Sequence, residues 1–147
     1  MPVTPSIELA TRAMPIGCAA GARSTLGIGV PALLSPTLGR FLGVKLGAIT
    51  MMSGEVVWDQ LPNCPSRLEW PGLASRIISG GAGALIIARA TRQPVLVAAT
   101  IGALSALGAA IAGTRWRRHW SQNHHAWVSG VLEDAVALSV ATLACHG

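Results

Sequence analysis

Charge is scarce in this chain. Of its 147 residues, 12% are Asp, Glu, Lys or Arg, where an ordinary soluble domain carries about 25%. Tyrosine is absent and phenylalanine occurs once, so the apolar content comes from Ala, Leu, Ile, Val and Gly. The three cysteines, Cys18, Cys64 and Cys145, make no CxxC and no metal-ligand spacing. An odd count this small excludes a disulfide framework, and Cys18 and Cys145, in apolar surroundings, read as small packing residues. HExxH, GxSxG and nucleotide-binding glycine loops are all missing. Neither a cofactor, nor a metal, nor a catalytic residue is therefore expected, and an enzyme is not the expected class. His119, His124 and His125 resemble a metal cluster only superficially. Adjacent His124 and His125 cannot both reach one ion from a regular helix, and they read as solvated loop residues. Ile16-Gly17-Cys18 resembles a lipoprotein cleavage site, but Glu8 and Arg12 interrupt the stretch before it, and neither a lipoprotein signal nor a cleaved leader is expected.

What the chain has in abundance is apolar sequence. Hydrophobic residues make up 51% and the mean hydropathy is +0.52. A soluble Ala-rich bundle would have too little polar sequence to cover its core, and the apolar runs exceed what soluble helices need. The expected fold is an all-α integral membrane protein, a single compact domain of five transmembrane helices over residues 13–34, 42–61, 73–90, 95–113 and 126–146. Small residues at four-residue spacing suit close helix packing in lipid. Gly17 and Gly21 form such a pair, as do Gly80, Ala84 and Ala88, and again Gly102, Ala106 and Ala110. The same stripes point to a homo-oligomer, since they offer more packing surface than five helices need. Pro31 and Pro36 loosen the end of the first span, Pro62 and Pro65 end the second, and Trp58 and Trp70 read as interfacial anchors.

Apart from Lys45 and Arg89 near span ends, six charges fall inside these spans, and there each is costly unless paired or hydrated. Glu55 and Asp59 are four residues apart, just over one helical turn, and share a face. Arg23 and Arg76 lie in two other spans. Glu133 and Asp134 are neighbours in the last, about 100° apart on the helix, so one at most points squarely inward and the other lies along a helix interface. Carboxylates crowded in low dielectric favour taking up a proton or a hard cation. The leading expectation is a small transporter or channel-like protein. In it Glu55 and Asp59 bind a proton or small cation, Arg23 and Arg76 tune or gate them, and Glu133 or Asp134 completes the polar cavity. The alternative is a structural or assembly protein whose buried charges only pair helices or partners.

The net charge of +5 comes from basic residues placed between apolar runs, which suits lipid headgroups; no nucleic-acid partner is expected. The segment Thr114-Arg115-Trp116-Arg117-Arg118-His119-Trp120 fits a headgroup region. A cytoplasmic amino terminus would put Arg12, Arg67, Arg115, Arg117 and Arg118 inside and Arg40, Lys45, Arg89 and Arg92 outside. Glu55-Asp59 and Glu133-Asp134, each preceded by a small-residue helix, are a candidate inverted repeat.

Gly54-Glu55-Val56-Val57-Trp58-Asp59-Gln60-Leu61-Pro62, then Pro65-Ser66-Arg67 and Arg76-Ile77-Ile78-Ser79-Gly80, resembles the pattern of an uncharacterised family of small bacterial membrane proteins, a domain of unknown function with a Gly-Glu-x-x-x-Asp-Lys-Leu-Pro motif. Gly21-Ala22-Arg23-Ser24 and Glu133-Asp134 are similar to its early Gly-x-Arg motif and its late acidic pair. Gln60 departs from the usual lysine. The resemblance implies a multi-pass protein of the bacterial cytoplasmic (inner) membrane and points to the same charges; it implies no reaction and no cargo.

Overall fold

The computed structural model describes residues 5–58, 68–120 and 126–146. They form six α-helices and, among the described residues, no strand: α1 (Pro5–Ala22), α2 (Ser24–Leu34), α3 (Leu42–Trp58), α4 (Gly72–Ala90), α5 (Val95–Trp120) and α6 (Ala126–His146), with one 3-10 turn at Leu38–Arg40. Two helices, over Gly72–Ala90 and Val95–Trp116, are long and apolar enough to cross a membrane. The others carry charge or are shorter. Glu8 and Arg12 pair within α1 at 3.1 Å, the 17 residues of α3 include Lys45 and Glu55, and α6 carries Glu133 and Asp134.

Residues 13–34, expected as one span, are two helices. The break is at Arg23, whose backbone is extended (φ −138°, ψ 124°). Leu9 and Ala13 of α1 cluster with Ala84, Ala88 and Ala98, while the carbonyl of Ala22 meets Arg76, so α1 runs antiparallel to α4. Helix α2 runs parallel to α4. The carbonyl of Ser24 accepts from Ser79, Gly27 lies against Gly83, and residues 35–38 share a cleft with Leu85, Ile86, Arg89 and Ala90. α1 and α2 therefore fold back on each other, and a side chain on Gly27 would collide with Ala20. The pair is a helical hairpin with Arg23 at its tip. Arg23 is buried and level with Arg76 in the second turn of α4, with Ala106–Ala110 of α5 and with Asp134 of α6.

The hairpin changes the expected topology. Residue 5, the 3-10 turn, the start of α3 and the α4–α5 turn lie at one end of the bundle, so the helix that carries Arg12 starts at the same end as Arg40, Arg89 and Arg92. A second difference concerns residues 114–120, which continue α5 as helix instead of forming a connection. They contain no glycine or proline to stop it, and the Thr114 hydroxyl donates back to the carbonyls of Ala110 and Ile111.

Small residues set the packing distances. Gly17 and Gly21 of α1 sit on the α5 backbone at Gly102 and Ala106, and Gly80 of α4 on Gly102 from the other side. Ala84, Ala88, Ala98, Ala106 and Ala110 are buried. With methyl groups and bare backbone at these contacts, the axes approach closely and gain dispersion energy along their length. Among the described residues of this alanine-rich interior, Ile16 is the one large side chain that is fully buried.

Candidate functional site

Breaking a helix inside an apolar bundle strands polar groups at both new ends: the last carbonyls of α1 and the first N–H groups of α2. Unsatisfied, they would each cost several kcal/mol in hydrocarbon. The charged side chains converge on these groups. Arg76, 5% exposed, donates from Nη1 to the carbonyls of Gly21 (2.8 Å) and Ala22 (2.6 Å). It thereby places a cation at the negative end of the α1 dipole. Glu55 does the converse for α2. Its Oε1 accepts from the N–H and hydroxyl of Ser24, both at 2.8 Å. Its Oε2 accepts from the N–H of Thr25 at 2.8 Å and from the Thr25 hydroxyl. A carboxylate at a helix N-terminus is favourable in charge and in hydrogen bonding. The two caps are close enough to sense each other, with Arg76 Nη2 at 4.0 Å from Glu55 Oε1.

Arg23 supplies the tip. It is 7% exposed, and its guanidinium meets the carboxylate of Asp134 in a two-pronged pair, Nε to Oδ1 and Nη2 to Oδ2 (2.6 Å). The fork geometry fixes orientation as well as charge. Ser79 joins through its hydroxyl, which donates to the Ser24 carbonyl. Helices α1, α2, α3, α4 and α6 thus all contribute to one polar centre. A cleft of about 210 Å³, lined by Arg23, Thr25, Met52, Ser53, Asp134 and Leu138, opens onto the Arg23–Asp134 pair. A larger one of about 490 Å³ reaches Ser24, Thr25, Ser75 and Ser79 between α2, α3 and α4.

Of the residues singled out in the sequence, Arg23, Arg76, Glu55 and Asp134 meet at this centre. Glu133 does not. It lies between α5 and α6, where a side chain added at Gly113 would touch its Oε1. Asp59 lies outside the described residues, as do Cys64, His124 and His125. Among the described residues, no three His, Cys, Asp or Glu side chains are grouped to hold a metal ion. Sequence reasoning missed Ser24, Thr25 and Ser79. The signal was the polar run Arg23-Ser24-Thr25, since serine and threonine favour the first residues of a helix. That marks a helix start in the middle of what reads as a single span.

No family model, no curated protein and no solved structure matches the chain.

Proposed function

We propose that the chain is a small multi-pass membrane protein of transporter or channel type, with its working centre at the tip of the α1–α2 hairpin. The carrying observation is a helix pair that turns back on buried charged groups, beside a cleft that opens onto one of its ion pairs. Non-helical backbone at membrane depth is tolerated where protein buries it or where it lines a water-filled cavity. Transporters use discontinuous helices to put helix ends at a central binding site. In this reading α3, α4, α5 and α6 cross the bilayer, and the hairpin enters from the side of residue 5 and returns to it. Large apolar side chains exposed on outer faces support the bilayer setting: Ile78, Leu96, Leu104, Val136 and Leu143 are 62% exposed or more, and extensive exposed apolar surface is rare on soluble monomers. The resemblance of the sequence motifs to small bacterial membrane proteins supports placing the chain in the cytoplasmic membrane. Helices α3 and α6 run in opposite directions and bring Glu55 and Asp134 to the same tip, which suits an inverted repeat. Arg23–Asp134 is the gate of this reading, and a proton or small cation is the species that exchanges there.

A second reading has its own support. Both Glu55 oxygens are occupied by donors and Arg23 is held by Asp134, so the charges also suffice as internal struts of a structural protein.

Cysteine labelling separates the two. With Cys18, Cys64 and Cys145 replaced by alanine, Ser53→Cys places a thiol in the cleft beside Arg23 and Asp134, and Leu104→Cys places one on an exposed apolar face. The transport reading expects a membrane-impermeant thiol reagent to label position 53 and to spare position 104 in sealed vesicles. Position 53 silent from both sides, in folded protein, would leave the structural reading standing.

A further inference from the structure

The end of the bundle that holds the 3-10 turn and the α4–α5 turn is basic. Arg40, Lys45, Arg89 and Arg92 are exposed there, and the acid described at that end, Glu8, pairs with Arg12. Between residues 35–38 and the last turns of α4 runs a cleft of about 540 Å³, within the size range of small-molecule sites. Its outer part is polar. Arg89 lines it and, among the described residues, makes no salt bridge. Ser35 and Thr37 line it too, their hydroxyls joined by a single hydrogen bond at 3.0 Å. The Leu38 N–H also donates to Ser35 Oγ, at 3.3 Å. Whichever hydroxyl donates in the shared bond, the proton of the other is left for a further acceptor. The inner part is hydrocarbon, with Leu38 on one side and Leu85 and Ile86 on the other. Leu85 and Ile86 precede Arg89 by four and three residues, so all three share a face of α4. The two apolar side chains lie about 5 Å deeper along the helix axis.

We infer that this cleft seats one anionic phospholipid, its phosphate on Arg89 and the Ser35–Thr37 hydroxyls and the start of one acyl chain against Leu38, Leu85 and Ile86. Three arguments select that occupant. A guanidinium and a spare O–H are donors, and both suit the oxygens of a phosphate. A free inorganic anion would use the polar part and leave the apolar walls wet, whereas a hydrocarbon would use the walls and leave the cation without a counter-charge. Arg40 and Arg92 each follow a lining segment by two residues, and this local excess of cations favours a headgroup with net negative charge over a zwitterionic one. Depth agrees with chemistry. Helices α4 and α5 are the two long and apolar enough to cross a membrane, so in the membrane setting the turn between them is at headgroup level and Leu85 and Ile86 reach the acyl region. The inference rests on the membrane setting proposed above and not on transport.

The test uses the full chain in dodecyl maltoside micelles, titrated with dioleoyl phosphatidylglycerol or dioleoyl phosphatidylcholine. Native mass spectrometry reads the fraction of protein carrying one lipid. Phosphatidylglycerol should bind about fivefold or more tighter, the scale of one arginine near an anionic lipid surface. Arg89→Gln should erase that preference and Arg89→Lys should keep part of it, since a lysine retains the charge without the fork. Arg115→Gln, near the opposite end of α5, should leave the preference unchanged. Ile86→Trp, which fills the inner part, should weaken binding of both lipids while the protein still melts cooperatively. Inorganic phosphate in excess should not displace the lipid. Displacement by phosphate would make the cleft a free-anion site and overturn the lipid assignment. Equal binding of the two lipids, or a preference unmoved by Arg89→Gln, would overturn the site itself and leave the transport reading standing. Position 53 silent to the thiol reagent would sink transport and leave the lipid site standing. A chain that stays in solution without detergent would remove the membrane setting from both.

Discussion

At the scale of single residues, the chain has concentrated its rare charges where backbone groups need them. Arg23 and Asp134 form a pair whose separate halves are costly. Asp134→Leu alone leaves a buried guanidinium without that partner and should destabilise by about 3–5 kcal/mol, whereas the double variant Arg23→Met, Asp134→Leu should recover most of that loss. Thermal unfolding in micelles measures both. The double variant also divides the two functional readings, because a strut replaced by well-packed apolar side chains still holds helices together, whereas a gate so replaced no longer conducts. Arg92 offers a prediction of the opposite sign. It ends α4 in the left-handed region with φ 56°, and the Gln93 and Arg92 N–H groups bond back to the carbonyls of Ala88 (2.8 Å) and Arg89 (3.4 Å), a cap that favours glycine. Arg92→Gly should stabilise by about 1 kcal/mol by removing the cost of that conformation, visible as a higher melting temperature. The four meeting charges were legible from their cost in apolar sequence. Their partners were not, since one helix period places Arg23 on a face without saying that the chain reverses there.

At the scale of elements, glycine decides which helices meet. Gly83 of α4 lies against the backbone of Gly27 in α2, while Gly108 of α5 faces open space. Backbone cannot swing aside as a flexible side chain can. Gly83→Ala should therefore push α2 off α4, disturb the Ser79–Ser24 contact and cost about 1–3 kcal/mol. Gly108→Ala meets nothing and should be neutral or stabilising by up to about 1 kcal/mol. Melting curves of the two variants, recorded side by side, check the contrast. Six element boundaries coincide with the expected ones: α2 ends at Leu34, α3 starts at Leu42, α4 ends at Ala90, α5 starts at Val95, and α6 starts at Ala126 and ends at His146. Proline or polar residues lie near each of these positions. Arg23-Ser24-Thr25 carries a helix-start signal but no breaker, so the reversal of the chain there was not legible. The turn is stabilised from outside, by Glu55 and Arg76, and side chains 31 and 55 positions away carry no local signature at the break.

At the scale of the whole molecule, the question is which apolar surface is still unsatisfied after the six helices have packed. The glycine and alanine stripes of α1, α4 and α5 are consumed internally, so they cannot also mediate association. Helix α3 is different. It packs mainly on α2, and added side chains at Gly43, Gly47 and Gly54 would meet nothing within 4 Å. Gly43 and Gly47 are four residues apart on an exposed face, the spacing that lets helices approach closely in lipid. Leu46 and Ile49, both more than half exposed, flank them. Among the described residues, this face of α3 is thus a candidate interface for the homo-oligomer expected from the sequence. If copies associate there, Gly47→Leu should convert the oligomer to monomers, read by cross-linking in membranes and by light scattering in detergent. The fold should survive, because position 47 touches nothing within the chain. An unchanged oligomer would move the interface away from α3, and a monomer in the unsubstituted protein would remove it altogether. The outcome also bears on the hairpin, since α3 carries Glu55. A partner copy against α3 would fix the carboxylate that caps α2, and a monomer would leave α3 held chiefly by α2 itself, free to move with the tip.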